Sequence, residues 1–301
     1  MKNFWIALTF PLTMIACGGG SLEVESESVD PDEVNNIDQD IIDGGMSMTT
    51  TVGGKMFSIP SPVQMSLLLK DEIGTFNEEM ITSPETVSDF TTTFKKAINM
   101  GIYGADLGYA TIFENNTKAV AYLASVEQLS DDLGIAGAFD EALIERFIEN
   151  GNDQDSMLVI MSDGYREGDK FLKDNEQHDI ATLILTGGWI ESLYFATTSF
   201  EQKNSQEIAN RIGEQKSSLE TIIELLEGYN TDEFYSSLIN DLKDLKIDFD
   251  KVKFNYQFIK PQTNEAEGLT VIKSKTSVDI DKTTMKSIIS KVSEIRKSLI
   301  S

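Results

Sequence analysis

The sequence predicts an all-α fold: duplicated four-helix units forming one helical-bundle body, followed by a small C-terminal β-hairpin plus helix. Three observations predict it. Apolar residues recur at helical spacing from residue 59 to about residue 246, helix starts are marked by capping residues, and later segments turn to β-branched and aromatic residues. A helical region of this length is large enough to bury one substantial core.

The helix starts carry residues that cap or initiate helices. Serine precedes proline at residues 61–62 and 83–84, and Thr231 precedes two acids, which are arrangements favoured at helix N-termini. Glycines at positions 134, 151 and 228 mark breaks. We expect eight helices, at residues 62–81, 84–113, 117–133, 139–149, 154–174, 177–199, 204–228 and 232–245.

The helical region, residues 59–250, contains two segments that resemble each other. Residues 101–111 align without gaps with residues 187–197, at an offset of 86 positions, and their glycine, aromatic and Ala-Thr positions correspond. We therefore expect an internal duplication with halves of about 59–150 and 151–250, related by a pseudo-twofold axis. Chance similarity between amphipathic helices is the alternative, whereas a tetratricopeptide array, with its repeat of about 34 residues, does not fit this offset.

Residues 251–301 predict a hairpin and a closing helix. The segments 252–259 and 269–280 are rich in Val, Ile, Thr, Phe and Tyr, the residues between them can turn, and Asp281 can cap a helix. Because an isolated hairpin is marginal in water, we expect it to lie against the helical body. This piece holds ten basic and five acidic residues, which favours docking on an acidic body, although a solvated tail would also explain it.

The N-terminus has the order of a secretory signal peptide over residues 1–16. Lys2 precedes an apolar run too short to span a bilayer, and Ala16 stands before Cys17. Residues 14–17, Met-Ile-Ala-Cys, resemble a bacterial lipobox. The resemblance implies a lipoprotein signal peptide, lipidation of Cys17, and a membrane partner reached through that lipid.

Residues 17–58 predict an acidic flexible tether, because they are rich in Asp and Glu and poor in aromatic residues. A flexible chain of about 40 residues typically reaches about 30 to 40 Å. Gly18 and the glycine-rich, acidic start resemble Bacteroidetes lipoproteins. The resemblance implies an outer membrane lipoprotein of the cell envelope, facing either the periplasm or the cell surface.

Residue counts exclude several classes of site. Cys17 is the only cysteine and His178 the only histidine, so the body has no thiol nucleophile, Cys-ligated metal or three-histidine zinc site. Ala181 stands where the His-x-x-Glu motif of imelysin-like lipoproteins would need its acid. We expect no catalytic triad, no metal and no cofactor. The net charge of −25 repels nucleic acid and anionic lipid headgroups, so we expect neither as a partner.

The candidate binding site lies in the two similar segments. Three glycines in a predicted helix cost about 1 kcal/mol each relative to alanine. Close helix packing can offset that cost, since Gly104 with Gly108, and Gly188 with Ser192, present small faces. Two acids near these faces could share one cavity with aromatic walls, which would raise one pKa. The predicted ligand-binding residues are Asp106, Glu191, Tyr103, Tyr109, Trp189 and Tyr194.

These observations lead to one main functional hypothesis and two alternatives. The main hypothesis is a non-catalytic, lipid-anchored envelope protein whose helical body binds a partner protein or a small ligand. The first alternative is a carboxylate-dependent envelope enzyme acting on glycans through Asp106 and Glu191. The second is a structural subunit of an envelope complex, which predicts an exposed apolar patch.

Overall fold

The computed structural model describes residues 48–52, 55–59, 62–138, 141–151, 153–264, 269–271 and 275–301. Its α-helices are α1 Pro62–Ile73, α2 Thr93–Ile112, α3 Asn116–Asp132, α4 Glu141–Glu149, α5 Gln154–Asp174, α6 His178–Lys203, α7 Gln206–Gly228, α8 Glu233–Phe249 and α9 Lys282–Leu299. Its strands are β1 Met48–Val52, β2 Lys55–Ile59, β3 Lys253–Gln257, β4 Gln262–Asn264, β5 Leu269–Val271 and β6 Lys275–Asp279. The predicted all-α class is confirmed, with the C-terminal hairpin and closing helix in place.

The first predicted helix is shorter than expected. It starts at Pro62 as predicted, but α1 ends at Ile73 instead of residue 81. Gly74 then takes a φ of +74°, a left-handed conformation that commonly ends helices. The remaining residues form a loop with a short 3₁₀ helix, Glu78–Met80.

The second predicted helix starts nine residues later than expected. Ser83 accepts a hydrogen bond from Glu85 N, but it begins only the 3₁₀ helix Pro84–Asp89. The α-helix begins at Thr93, where Thr92 caps it by accepting a hydrogen bond from Lys95 N. Threonine side chains that bond to nearby backbone groups favour such a cap over a helix interior. The loop before α2 therefore supplies residues to the site described below.

The core is built around α2 and α6, which make the most extensive helix contact. Almost every residue of both helices from Ala97 to Ile112 and from Leu183 to Ala196 is buried. α3 packs on α2, α7 packs on α6, and α1 contacts both central helices. α5 closes the other side, and α4 packs on α5. The two similar segments of the sequence thus form the centre of the bundle.

The closing helix docks on the body, as the charge distribution suggested. α9 packs against α6, α8 and α2. Lys291 Nζ lies 2.7 Å from Asp244 Oδ2 and 2.9 Å from Asp248 Oδ2. At the end of the chain, Asn99 Nδ2 donates to Leu299 O over 3.0 Å. The C-terminal piece and the helical body belong to one compact unit, residues 38–301.

The C-terminal hairpin forms, but it does not lie against the body along its length. β3 pairs antiparallel with β6, and β4 pairs with β5. Val252 and Val278 are buried at its base, whereas every residue of β3 is exposed. The expectation that the body covers the hairpin is therefore wrong for β3. We call residues 251–281 the hairpin arm.

Part of the predicted tether is ordered. β1 pairs antiparallel with β2, and β2 lies near α7, although both strands fall within or at the end of the segment predicted to be flexible. The Thr, Val, Phe and Ile residues of these strands are types enriched in β-strands, and they suit a strand pair better than a solvated linker. The signal peptide, Cys17 and the acidic residues up to 47 lie outside the described residues.

Candidate functional site

The two central helices cross in direct backbone contact. A Cβ atom on Gly101 would lie 2.0 Å from Ile184 O, and a Cβ atom on Gly187 would lie 1.9 Å from Ile98 O. Real Cβ atoms do not approach carbonyl oxygens this closely, so only glycine fits at these two positions. The conformational cost of the two glycines is thus offset by the close approach of α2 and α6.

The glycines of the predicted small faces do not all lie at the crossing of α2 and α6. A Cβ atom on Gly104 would have Tyr165 Oη as its nearest neighbour, at 3.6 Å, and one on Gly108 would lie 3.3 Å from Met161 Cε. Both glycines therefore face side chains of α5. Gly188 does lie at the crossing, where its added Cβ would be 3.4 Å from Gly101 O.

A buried ion cluster lies beside this crossing. We use this name for Asp106, Glu191, Arg296 and Thr82, all of which are buried, the two acids completely. Arg296 on α9 binds Glu191 on α6 through two parallel contacts, Nε to Oε2 at 2.6 Å and Nη2 to Oε1 at 2.7 Å. This bidentate geometry is the strong form of a charge-assisted pair.

The loop before α2 completes the cluster. Arg296 Nη2 also donates to Met80 O over 3.1 Å and to Thr82 Oγ1 over 2.9 Å. Thr82 N donates to Asp106 Oδ2 over 3.1 Å, and the Tyr122 hydroxyl donates to Thr82 O. The cluster therefore ties α2, α3, α6, α9 and the loop together.

The raised pKa values of the two carboxyl groups favour one proton shared between them. Burial, and then the neighbouring Glu191 carboxylate, raise the pKa of Asp106 well above its usual range, and Arg296 only partly opposes this. Burial also raises the pKa of Glu191, against the opposing effect of Arg296. Asp106 Oδ1 is buried and has no hydrogen-bond donor among the described residues, and a proton between it and Glu191 would account for this. We assign the proton to Asp106, so that it donates to an ionised Glu191 and the cluster is neutral overall.

The structure brings some of the predicted aromatic residues to the cluster and places others elsewhere. Arg296 Cζ lies 4.2 Å from the centre of the Tyr194 ring, within the range of a cation–π contact. The Tyr103 hydroxyl bonds with Thr86 Oγ1 at 2.9 Å, and Tyr109 Oη accepts from Asn77 N over 3.1 Å. These tyrosines therefore bind the loop rather than line an open cavity with the acids.

A separate apolar cavity lies on another side of α2 and α6. Its volume is about 140 Å³, and α2 to α6 all contribute to its wall. Neither Asp106 nor Glu191 lines it. The main apolar residues around it are Leu107, Leu143, Phe147, Met161, Leu172 and Trp189. Of the predicted ligand-binding residues, only Trp189 faces this cavity.

The cavity wall also includes Glu127, Asp169, Lys173 and His178, together with the hydroxyl-bearing Tyr165 and Thr182. Lys173 Nζ lies 2.5 Å from Asp169 Oδ2, so these two charges are paired across one turn of α5. His178 is exposed at the start of α6, where the sequence analysis placed it.

No family model, curated protein or solved structure matches this chain. Among the described residues, α6 is the one helix long and apolar enough to cross a membrane, and 83% of its apolar window is buried inside the fold. The same residues contain no group of three or more potential metal ligands. The functional argument therefore depends on the geometry of the cluster and the cavity.

Proposed function

We propose that this protein is a non-catalytic, lipid-anchored cell-envelope protein whose helical body binds a small apolar molecule. The observation that carries the binding proposal is the cavity of about 140 Å³ between α2 and α6 and the helices α3, α4 and α5. Concave, mostly apolar pockets are the usual sites for small ligands, because an apolar ligand leaves water without losing hydrogen bonds.

The polar groups around the cavity favour an apolar ligand, because several already have partners within the protein. The Tyr165 hydroxyl donates to Gly104 O over 3.0 Å, and Trp189 Nε1 donates to Gln215 Oε1 over 3.0 Å. The Thr182 hydroxyl donates to His178 O over 2.8 Å. A ligand that needs hydrogen bonds in this cavity would have to displace these contacts, whereas a hydrocarbon group would not.

The cavity volume sets the size of the ligand. An apolar cavity of about 150 Å³ stays dry and binds benzene or xenon. The cavity of about 140 Å³ in this protein is close to that size. We therefore expect a single aromatic ring or a short alkyl chain, with any polar end directed towards the charged residues of the wall.

The binding proposal is tested by calorimetric titration of residues 38–301 with benzene and indole. We expect binding to the unsubstituted chain and no binding after Ala181→Phe, because Ala181 lines the cavity and a phenyl ring would fill it. Leu143→Ala should instead admit a larger ring such as naphthalene. Ile247→Phe is the matched control, since Ile247 is 58% exposed on α8. Binding that persists unchanged in Ala181→Phe would contradict the proposal.

The anchoring proposal rests on the lipobox-like residues that end at Cys17. It includes a signal peptide at residues 1–16 and an outer membrane location of the Bacteroidetes type. Metabolic labelling with a fatty acid analogue tests it. Label on the full chain that disappears in Cys17→Ser would support it, and an unlabelled full chain in a membrane-free fraction would contradict it.

The duplication of the helical domain is also a proposal, and the crossing supports it. Gly101 contacts Ile184 O, and Gly187 contacts Ile98 O. Gly101 corresponds to Gly187, and Ile98 to Ile184, at the offset of 86 positions found in the sequence, so the two contacts are equivalent. The rings of Tyr109 and Phe195, at the same offset, lie with their centres 4.8 Å apart. Such reciprocal contacts are what a local twofold axis between two halves produces.

The carboxylate-dependent enzyme acting on glycans is not favoured by this geometry. Asp106 and Glu191 are completely buried, and neither lines the cavity. Arg296 already donates hydrogen bonds to both oxygens of the Glu191 carboxylate. A substrate would need the cluster to open before it could contact either acid.

A further inference from the structure

We propose that the hairpin arm is a membrane-binding element that inserts its aromatic side chains into the surface of a bilayer containing anionic phospholipid. This inference goes beyond the proposed function, because it depends neither on the cavity nor on Cys17. It starts from three exposed aromatic residues, Phe254, Tyr256 and Phe258, of which 46%, 65% and 68% of the surface is exposed.

Phe254 and Tyr256 alternate along β3 and so share one face, and Phe258 follows directly after the end of the strand. The register pairs Phe254 with Val278 and Tyr256 with Thr276, while Lys253 and Gln257 point to the opposite face. Val278 packs against α7, where a Cβ on Gly213 would lie 2.3 Å from its Cγ1. The apolar face of the arm is therefore continuous, buried at its base and exposed beyond it.

Among the described residues, no layer covers Phe254, Tyr256 and Phe258. A two-stranded hairpin is marginal in water without packing on one face. Contiguous exposed aromatic residues generally mark a binding surface, and Tyr and Phe with nearby lysines suit the boundary between lipid headgroups and acyl chains. The exposed residues of the arm are therefore of the types that bind at the membrane interface.

The charge of the arm favours lipid despite the acidic body. Residues 251–264 contain no acid and three lysines, of which Lys251 pairs with Asp248 over 2.6 Å, and the whole arm holds five lysines and four acids, whereas the chain carries −25. β3 alone extends for about 16 Å at the usual rise of a strand. Screening acts over about 8 Å at physiological salt, so the arm can contact anionic headgroups while repulsion from the body is weakened.

A second copy of the chain fits this face less well. An isologous contact would bring two strongly acidic bodies together. A lipid surface adds no second acidic body, and screening weakens its repulsion by the first. The expectation from net charge, which excluded anionic lipid, considered the whole chain, whereas this proposal concerns the local surface of the arm.

The test is co-sedimentation of residues 38–301, which lack the leader and Cys17, with lipid vesicles. We expect binding to vesicles of phosphatidylcholine and phosphatidylglycerol, weaker binding to phosphatidylcholine alone, and release at high salt. Replacing Phe254, Tyr256 and Phe258 by serine should lower the partition coefficient by roughly tenfold or more. Lys260→Gln should reduce the preference for phosphatidylglycerol.

The control is Ile247→Ser, an exposed apolar residue on α8, which should leave vesicle binding unchanged. All the substituted side chains are exposed, so the variants should keep the unfolding midpoint of the unsubstituted chain. The proposal is overturned if the protein sediments with neither vesicle, or if Ile247→Ser weakens binding as much as the triple variant. Self-association that the triple variant abolishes, without vesicle binding, would assign the face to a second copy instead.

Discussion

The two sides of the central helix pair differ in how they use polar groups. On one side, Asp106 and Glu191 lie completely buried, where Thr82 N donates to Asp106 and Arg296 binds Glu191. On the other side, the wall of the cavity is mostly apolar and leaves about 140 Å³ of space. The comparison shows that a buried acid with a strongly raised pKa is not by itself a ligand site. The buried ion cluster holds elements of the fold together, whereas the cavity leaves room for a ligand.

The largest expected effect comes from breaking the pair between Arg296 and Glu191. Arg296→Met should lower the free energy of unfolding by about 3 to 5 kcal/mol, because it leaves a buried carboxylate without its partner. Urea titration measures the loss. In the double variant with Glu191→Met, which removes both charges, most of the loss should be recovered. Equal losses in the single and double variants would show that packing rather than charge causes the effect.

The next effect concerns the crossing of α2 and α6. Gly101→Ala should cost about 3 kcal/mol, near the upper end for overpacking, because the added Cβ would meet Ile184 O at 2.0 Å. Gly104→Ala is the matched control, since its nearest neighbour would be 3.6 Å away, and it should be neutral or stabilise the helix by up to about 1 kcal/mol. A similar cost at both positions would contradict the crossing geometry.

A smaller effect should appear in the pH dependence of stability. The pKa of Asp106 is raised in the folded state, so the folded protein binds more protons than the unfolded chain. Stability should therefore fall as the pH rises from about 4, the ordinary pKa of this group, towards its folded pKa. The slope contributed by this one group is at most about 1.4 kcal/mol per pH unit.

Asp106→Asn isolates this contribution. The amide can donate to Glu191 as the protonated carboxyl does, but it does not titrate. The difference in unfolding free energy between the two proteins should therefore depend on pH with the sign given above. A difference that is constant from pH 4 to pH 9 would contradict the shared proton.

The smallest effect concerns the ring beneath Arg296. Tyr194→Leu removes the cation–π contact and should cost about 1 kcal/mol, whereas Tyr194→Phe keeps the ring and should cost less than about 0.5 kcal/mol. Thermal unfolding of the two variants measures the difference. If both lower the midpoint equally, the hydroxyl rather than the ring supports Arg296.

Much of the fold could be predicted from the sequence because its signals are local. Helical periodicity predicted the eight body helices, and β-branched residues predicted the hairpin. The predicted helix boundaries were wrong where a single residue ended or capped a helix. Gly74 ended α1 early, Thr92 delayed α2, and Asp232 rather than Thr231 caps α8 by accepting hydrogen bonds from Phe234 N and Tyr235 N.

The candidate site could be predicted only in part. The proximity of Asp106 and Glu191 followed from the similar segments, and burial does raise the pKa of Asp106. Arg296 was missed because it lies 105 residues after Glu191, and only the basic character of the last helix pointed to it. The cavity could not be predicted, since its volume depends on how side chains from five helices pack.

The most direct test of the difference between the two sides is a calorimetric titration with benzene of three proteins: residues 38–301, the Asp106→Asn variant and the Ala181→Phe variant. We expect Asp106→Asn to bind benzene with unchanged affinity, because Asp106 does not line the cavity, and Ala181→Phe to show no binding. Loss of binding in Asp106→Asn with retained binding in Ala181→Phe would contradict the account, because it would place the ligand at the buried ion cluster.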